Sequence, residues 1–320
     1  MDLTINSIPD REAPVLIIGG AGIDIVGRLS GELFQGSSSP AQVRTSYGGV
    51  ARNVAENLAR LGHAVNLISV VGEDEEGERL IDRVNEAGVD VQGVVCSRAH
   101  PTGAYLGIVN AEGRLEYALD DMHVISALTP EKIREREGYF KDAAILFLDA
   151  NIPVKTLRTI MSLARKNRLL VCADPTSATL AYRLQPYLDR LFLITPNSKE
   201  AAFFCHPSYD VIADRYRAQE AAKHLVSHGV ELVIITLAEL GLCYATTETS
   251  GYIPALHTNI IDPTGAGDAL SAAVIFALLN EIPLDEAVRL GVSAASLTLG
   301  YPGAVVPKLS LEMLFDQLVI

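Results

Sequence analysis

Val-Leu-Ile-Ile-Gly-Gly-Ala-Gly-Ile-Asp, residues 15–24, decides between two α/β folds. Four apolar residues running into glycines read as a buried strand that ends at a ligand-facing turn. A dinucleotide fingerprint would continue as Gly-x-Gly-x-x-Gly and open a helix. Here Gly20-Ala21-Gly22 is followed by Ile25 where a third small residue belongs, and the next residues read as a strand. That argues against an NAD-binding oxidoreductase. Asp24, just past the strand end, is better suited to gripping a pair of substrate hydroxyls.

Outward from this run the theme repeats. Val65–Val71, Ala144–Leu148, Leu169–Ala173, Leu191–Thr195 and Leu232–Thr236 are short, mostly uninterrupted apolar runs, as expected of strands covered on both faces. Between them, Gly49–Leu61, Glu76–Ala87, Val154–Lys166 and Tyr216–His228 carry apolar residues at helical spacing. This alternation predicts an α/β fold: a mostly parallel central sheet with helices on both faces. Two regions break it. Asp24–Thr45 has a Gly/Ser/Pro-rich centre, and Thr102–Leu119 sets two strand-like runs around Ala111-Glu112-Gly113. Together, over about residues 24–47 and 101–121, they predict a small β-flap (a lid) over the ligand edge of one domain spanning residues 1–320. Its exposed strands invite pairing with a second copy, so a homodimer through the flap is expected.

Composition narrows the function classes. Of 320 residues, 49% are apolar and 20% charged, and the net charge is −13. Such a chain repels nucleic-acid phosphates and anionic membranes, so neither is an expected partner. An anionic ligand would need local help from backbone N–H groups or a cation. Cys96, Cys172, Cys205 and Cys243 form no Cys-x-x-Cys pair, and the histidines show no metal-ligand spacing. No apolar stretch reaches the roughly 18 residues of a membrane span, and the start of the chain lacks the apolar core of a signal peptide. A cytoplasmic protein acting on a small molecule is expected.

Several short motifs carry chemistry. In Asp262-Pro-Thr-Gly-Ala-Gly-Asp268, Gly265, Ala266 and Gly267 precede an apolar helix. Small residues at a helix start let N–H groups meet phosphate oxygens. Asp268 then lies in the first helical turn, where the helix dipole should hold its pKa low. Gly48 and Gly49 open another helix and let a substrate approach the backbone, with Asn53 one turn in to bond hydroxyls. Asn197 and Glu200, three apart at a helix start, suit either a hydrated Mg²⁺ or a reciprocal capping box. Thr236 and Gly241 flank a turn between two strand runs, a plain hairpin or a phosphate contact. Each motif alone also fits an ordinary helix or strand end. No Gly-x-x-x-x-Gly-Lys-Ser/Thr loop is present.

Together the motifs are more specific. Gly48-Gly49 through Ala51-Arg52-Asn53-Val54-Ala55, then Gly62 and Gly72, resembles the N-terminal signature of the ribokinase/PfkB sugar-kinase family. Asp262–Asp268 with Ala272-Ala273 resembles its C-terminal signature, and Asn197-x-x-Glu200 its third motif. The resemblance covers about residues 14–308 and implies a ribokinase-like fold and an ATP-dependent kinase. It implies Asp268 as catalytic base and Gly265, Ala266 and Gly267 as an anion hole. Asp24, Gly49 and Asn53 would bind the sugar, with Gly48 beside them and Asp121 and Asn151 as further contacts. Asn197 and Glu200 would place Mg²⁺ through water, and Thr236 and Gly241 would touch the ATP phosphates. Asp262 and Thr264, with the stretch near Gly303, mark where relatives hold K⁺. Pro263 departs from the commoner Thr, and K⁺ stays open. The runs Gly49–Ala59, Asp149–Ile152 and Ala173–Ala178 are most similar to members that phosphorylate the 5′-hydroxyl of pseudouridine. Ribose, fructose and adenosine are alternative acceptors, and a non-catalytic sugar-binding regulator is the alternative from another class.

Overall fold

The computed structural model describes residues 8, 10–111, 114–205, 212 and 214–319. The first part of the chain supplies strands β1 (Val15–Ile18), β2 (Gly22–Leu29), β3 (Ala41–Gly48), β4 (Val65–Ile68), β5 (Val70–Gly72), β6 (Val89–Asp90) and β7 (Val95–Ser97). Next come β8 (Gly103–Val109), β9 (Leu115–Asp121), β10 (Ile145–Asp149), β11 (Leu170–Asp174) and β12 (Leu193–Ile194). The last three are β13 (Leu232–Thr236), β14 (Leu242–Ala245) and β15 (Ser250–Ile253). The helices are α1 (Val50–Arg60), α2 (Glu75–Glu86), α3 (Pro130–Arg134), α4 (Glu137–Lys141), α5 (Val154–Lys166), α6 (Ser198–Cys205), α7 (Arg215–Ser227), α8 (Ala266–Leu279), α9 (Leu284–Leu299) and α10 (Leu311–Val319).

The main sheet has the order β15-β14-β13-β12-β11-β10-β1-β4-β6. It is parallel from β6 to β13, and β14 and β15 add antiparallel at one edge. Alternation along β1 sorts the core into two. Val15 and Ile17 pack on one face with residues of α1, α8 and α9. Leu16 and Ile18 pack on the other with residues of α5, α6 and α7. Helix α8 is buried almost all round, as its unbroken apolar sequence requires. The Val65–Val71 run divides into two strands, because β5 leaves the main sheet to pair with β7. The Leu191–Thr195 run keeps only two paired residues.

The flap is a separate four-stranded sheet, β3-β2-β8-β9. The Glu112 and Gly113 of its expected turn lie outside the described residues. Its registers put Ser46, Asp24, Tyr105 and Asp120 in one cross-strand row, and Thr45, Ile25, Leu106 and Leu119 in the next. Side chains alternate along each strand, so one face is polar and the other apolar. On the apolar face Val43 is 69% and Leu119 68% exposed. Among the described residues no helix is long and apolar enough to cross a membrane.

Candidate active site

The carboxyl ends of the parallel strands, the usual ligand position in open α/β sheets, lie close to the polar face of the flap, with Arg44 of β3 3.8 Å from Asp262; the space between them is the candidate cleft. At its floor lies the start of α8. Gly265 is the N-cap at φ 79°, and a side chain there would collide with Ala304, 2.6 Å from its Cα. Gly267 is different: a Cβ there would meet nothing within 4 Å. No side chain caps this helix end, so its first N–H groups are available to a ligand. Asn53 Nδ2 donates to Asp268 Oδ2 at 2.7 Å, joining two motifs 215 residues apart. Asn53 Oδ1 is buried and has no hydrogen-bond partner among the described residues.

The sequence predicted a low pKa for Asp268. The structure reverses this: burial pushes the carboxyl up to about 7, against the opposing effects of the Asn53 hydrogen bond and Arg52. Removing a carboxylate from water outweighs a dipole effect of roughly 0.3–1 kcal/mol. Asp268 is therefore a stronger base than its place on the helix suggests.

At the other end of the cleft, Gly49 caps α1 at φ 94°, and a Cβ there would lie 2.5 Å from the Gly20 carbonyl oxygen. A Cβ on Gly48 would strike the Asp24 carboxylate, so both glycines are required by close approach. Asp24 is buried, and burial raises its pKa to about 6, with Arg52 opposing. The buried Asp149 ties this end together. It accepts from the backbone N–H of Gly20 (2.8 Å), Ala51 (3.0 Å) and Asn151 (2.9 Å). The Arg183 guanidinium bonds the carbonyls of Ala150, Asn151 and Ile152, fixing the loop that aims Asn151 toward Gly20.

Asp121 is not brought to the cleft. It pairs with Ala104, is exposed, and bonds His123 Nδ1 at 2.8 Å. Asp120 takes the place beside Tyr105 and Asp24, and its pKa is raised by partial removal from water and then by Asp121. The side-chain alternation of a strand makes the two aspartates face opposite ways.

At the third side, Asn197 and Glu200 form the reciprocal box. Asn197 Oδ1 accepts from the Glu200 N–H at 3.0 Å, and Glu200 accepts from Asn197 N (2.8 Å) and Nδ2 (2.7 Å). The capping role is thus real, whatever else the pair does. Thr236 bridges Asn197 in the sheet. Gly241 sits at φ 90° in the turn between β13 and β14, where a Cβ would lie 2.5 Å from the Ala255 nitrogen; packing alone explains its glycine. Asp262 accepts from Thr264 N at 3.0 Å and lies 3.8 Å from Arg44 of the flap. Asp174, unmentioned by any motif role, ends β11 under the cleft. Burial raises its pKa, followed by the charges of Glu200 and Asp268. Thr195 bonds both Asp174 and Ser271 of α8. Among the described residues no three His, Cys, Asp or Glu side chains group as metal ligands.

The sequence profile described as pfkB family carbohydrate kinase matches residues 13–310. The chain belongs to this family. It is therefore a kinase of the sugar and nucleoside class. The chain is 30% identical to the pseudouridine kinase of Escherichia coli K12, over 93% of this chain and 94% of that one. The guanosine-inosine kinase of Exiguobacterium acetylicum is 27% identical, over 88% and 93%. The fold is also that of Arabidopsis thaliana ribokinase solved with ribose and ATP (TM-score 0.82, 21% identity, 96% and 99% covered). In this pfkB chain both sequence signatures converge on one cleft, through the Asn53–Asp268 bond. Sequence reasoning missed Asp120, Asp149 and Asp174. The last two were visible as the acidic ends of apolar runs, a signal that marks the ligand edge of a parallel sheet.

Proposed function

We propose that the protein transfers the γ-phosphoryl group of ATP to the 5′-hydroxyl of a ribonucleoside, with pseudouridine the first acceptor. The observation that carries this reading is the Asn53–Asp268 pair: a buried base with a pKa of about 7, held by an amide whose own Oδ1 awaits a donor. A substrate hydroxyl would supply that donor. Asp24, Gly48, Gly49 and Asn53 hold the ribose, with Asn151 at the rim. Asp268 takes the proton of the attacking hydroxyl. Gly265, Ala266 and Gly267 present N–H groups to the transferring phosphoryl. The nucleotide lies along Asn197, Thr236 and Gly241.

Mg²⁺, when bound, neutralises phosphate charge. Glu200 would hold it through water, with Asp174 nearby. Asp174, its pKa raised by burial and then by the charge of Glu200, fits a place beside a cation. A K⁺ at Asp262 and Thr264 would add positive charge beside the anion hole. The apolar flap face suits pairing with a second copy, which sizing would detect. The deciding experiment is ADP release with ATP-Mg²⁺ and a panel of pseudouridine, uridine, guanosine, adenosine, ribose and fructose, in K⁺ and in Na⁺. Preference for pseudouridine is expected. A clear preference for ribose or fructose sinks the nucleoside reading, and ADP release independent of any acceptor sinks the kinase reading.

A further inference from the structure

Among the described residues Arg52 is the bulkiest fully buried side chain, 1% exposed. It stands on the first turn of α1, next to Asn53. Its Nη1 donates to Glu56 Oε2 at 2.6 Å, its Nε to the Gly48 carbonyl at 3.3 Å, and its Nη2 to the Tyr47 carbonyl. Tyr47 and Gly48 are the last residues of flap strand β3. Glu56, wholly buried, is gripped in turn by Arg60 at 2.6 Å, with Arg83 at 3.8 Å. Arg60 reaches the Pro307 carbonyl. A continuous polar strut thus runs from the end of the flap through α1 to the chain's last quarter.

Burying such a charge is costly unless every donor is satisfied. A structural pair could be replaced by apolar residues without loss, but this one grips backbone that only a planar fork can span. We propose that Arg52 is a positioning residue for phosphoryl transfer: its guanidinium clamps the root of β3 onto α1 and so sets the spacing between Asp24 on the flap and Asp268 on the body. This rests on the kinase reading above. The same charge has a second effect. Asp268 is faced by Arg52 and Asn53 from α1, Asp149 from β10, Asp174 from β11 and Asp24 from β2. Arg52 is the one cation among them, and it holds both Asp24 and Asp268 below the values burial alone would give.

Two variants separate clamp from charge. Arg52→Lys keeps the charge and loses the fork. Arg52→Met combined with Glu56→Gln removes the charge without leaving a buried carboxylate unpaired. In both, the acceptor KM should rise about tenfold and kcat/KM for the acceptor fall roughly 10²-fold, while the KM for ATP stays put. The acid limb of kcat should stay in place for Arg52→Lys and move to higher pH for the double variant, because loss of a cation raises the Asp268 pKa. In the ligand-free protein, amide hydrogen exchange over residues 44–48 should quicken in both variants and that of β9 should not. A normal acceptor KM, or an ATP KM that rises in step with it, overturns the proposal, as does unchanged exchange at 44–48. Should the wild type phosphorylate no acceptor, the kinase reading falls and the proposed positioning role falls with it, while the exchange result still decides whether Arg52 grips the flap.

Discussion

The central sheet and the flap are both made of short strands, yet they spend their residues differently. In β10, β11 and β13 the one strongly polar side chain is the last: Asp149, Asp174 and Thr236. Helices cover both faces, so a polar group survives only where the strand runs out of cover. In the flap, a row of Ser46, Asp24, Tyr105 and Asp120 lies next to a row of Thr45, Ile25, Leu106 and Leu119, so one face is the more polar along several strands. The body can offer chemistry only at its edge, in fixed places. The flap can offer contacts along its length. Under the proposed function, reaction and acceptor choice divide between the two sheets.

The division breaks most sharply at Asp268. Asp268→Asn is expected to lower kcat by roughly 10²–10⁴-fold with acceptor binding kept, measured by calorimetric titration. In the wild type kcat should fall as pH drops through about 7, where Asp268 takes up its proton. The linked stability has a definite sign. The folded pKa lies above the unfolded one, so the buried charge destabilises the fold fully above about pH 7 and not at all below about pH 4. The Asn variant should therefore melt a few degrees higher at pH 8, with the gain vanishing in acid. Equal melting points at pH 8 would place Asp268 in a more watery setting.

The two glycines of the α8 start give the next largest effect. Gly267→Ala places a methyl in open space, and stability should change by no more than about 1 kcal/mol while kcat falls roughly 10²-fold. Gly265→Ala, forced into a left-handed conformation against Ala304, should instead cost about 1–3 kcal/mol in chemical denaturation. A fully active Gly267→Ala would show that no phosphate oxygen comes near that position.

Smaller effects sharpen the flap. Asp120→Asn should raise the acceptor KM about tenfold and leave the ATP KM alone, whereas Asp121→Asn should leave both nearly unchanged. The reverse result would mean the register of β9 is displaced by one residue. Leu119→Lys, on the apolar face, should shift a dimer toward monomer in sizing with little change in kcat. Loss of turnover in step with dissociation would show that the two faces are not independent.

The reach of the sequence follows the same line. Short apolar runs announced the covered strands, and the glycines with Asp268 announced the cleft floor, because close backbone approach leaves a mark in residue type. Asp268's basicity left none, since it comes from burial by distant segments. Asp120 against Asp121 was a question of phase. Strand phase depends on pairing, and the β8–β9 ladder shifts register between Ile108 and Val109. No count along one strand foresees that shift. Beyond its place at the end of an apolar run, nothing local sets Asp149 apart, because its three backbone partners come from Gly20, Ala51 and Asn151, two of them far away in sequence.

The two-faced flap has a consequence for descent. Neighbouring residues on a strand lie on opposite faces, Ser46, Asp24, Tyr105 and Asp120 in one row and Thr45, Ile25, Leu106 and Leu119 in the next. Substitutions can therefore accumulate in Ser46, Tyr105 or Asp120 while the opposite row is inherited unchanged. A single inserted residue in β2 or β3 has the opposite fate. It exchanges the rows at once, so such lineages should tolerate length changes at the Gly36–Pro40 tip and almost none in the ladders that flank it.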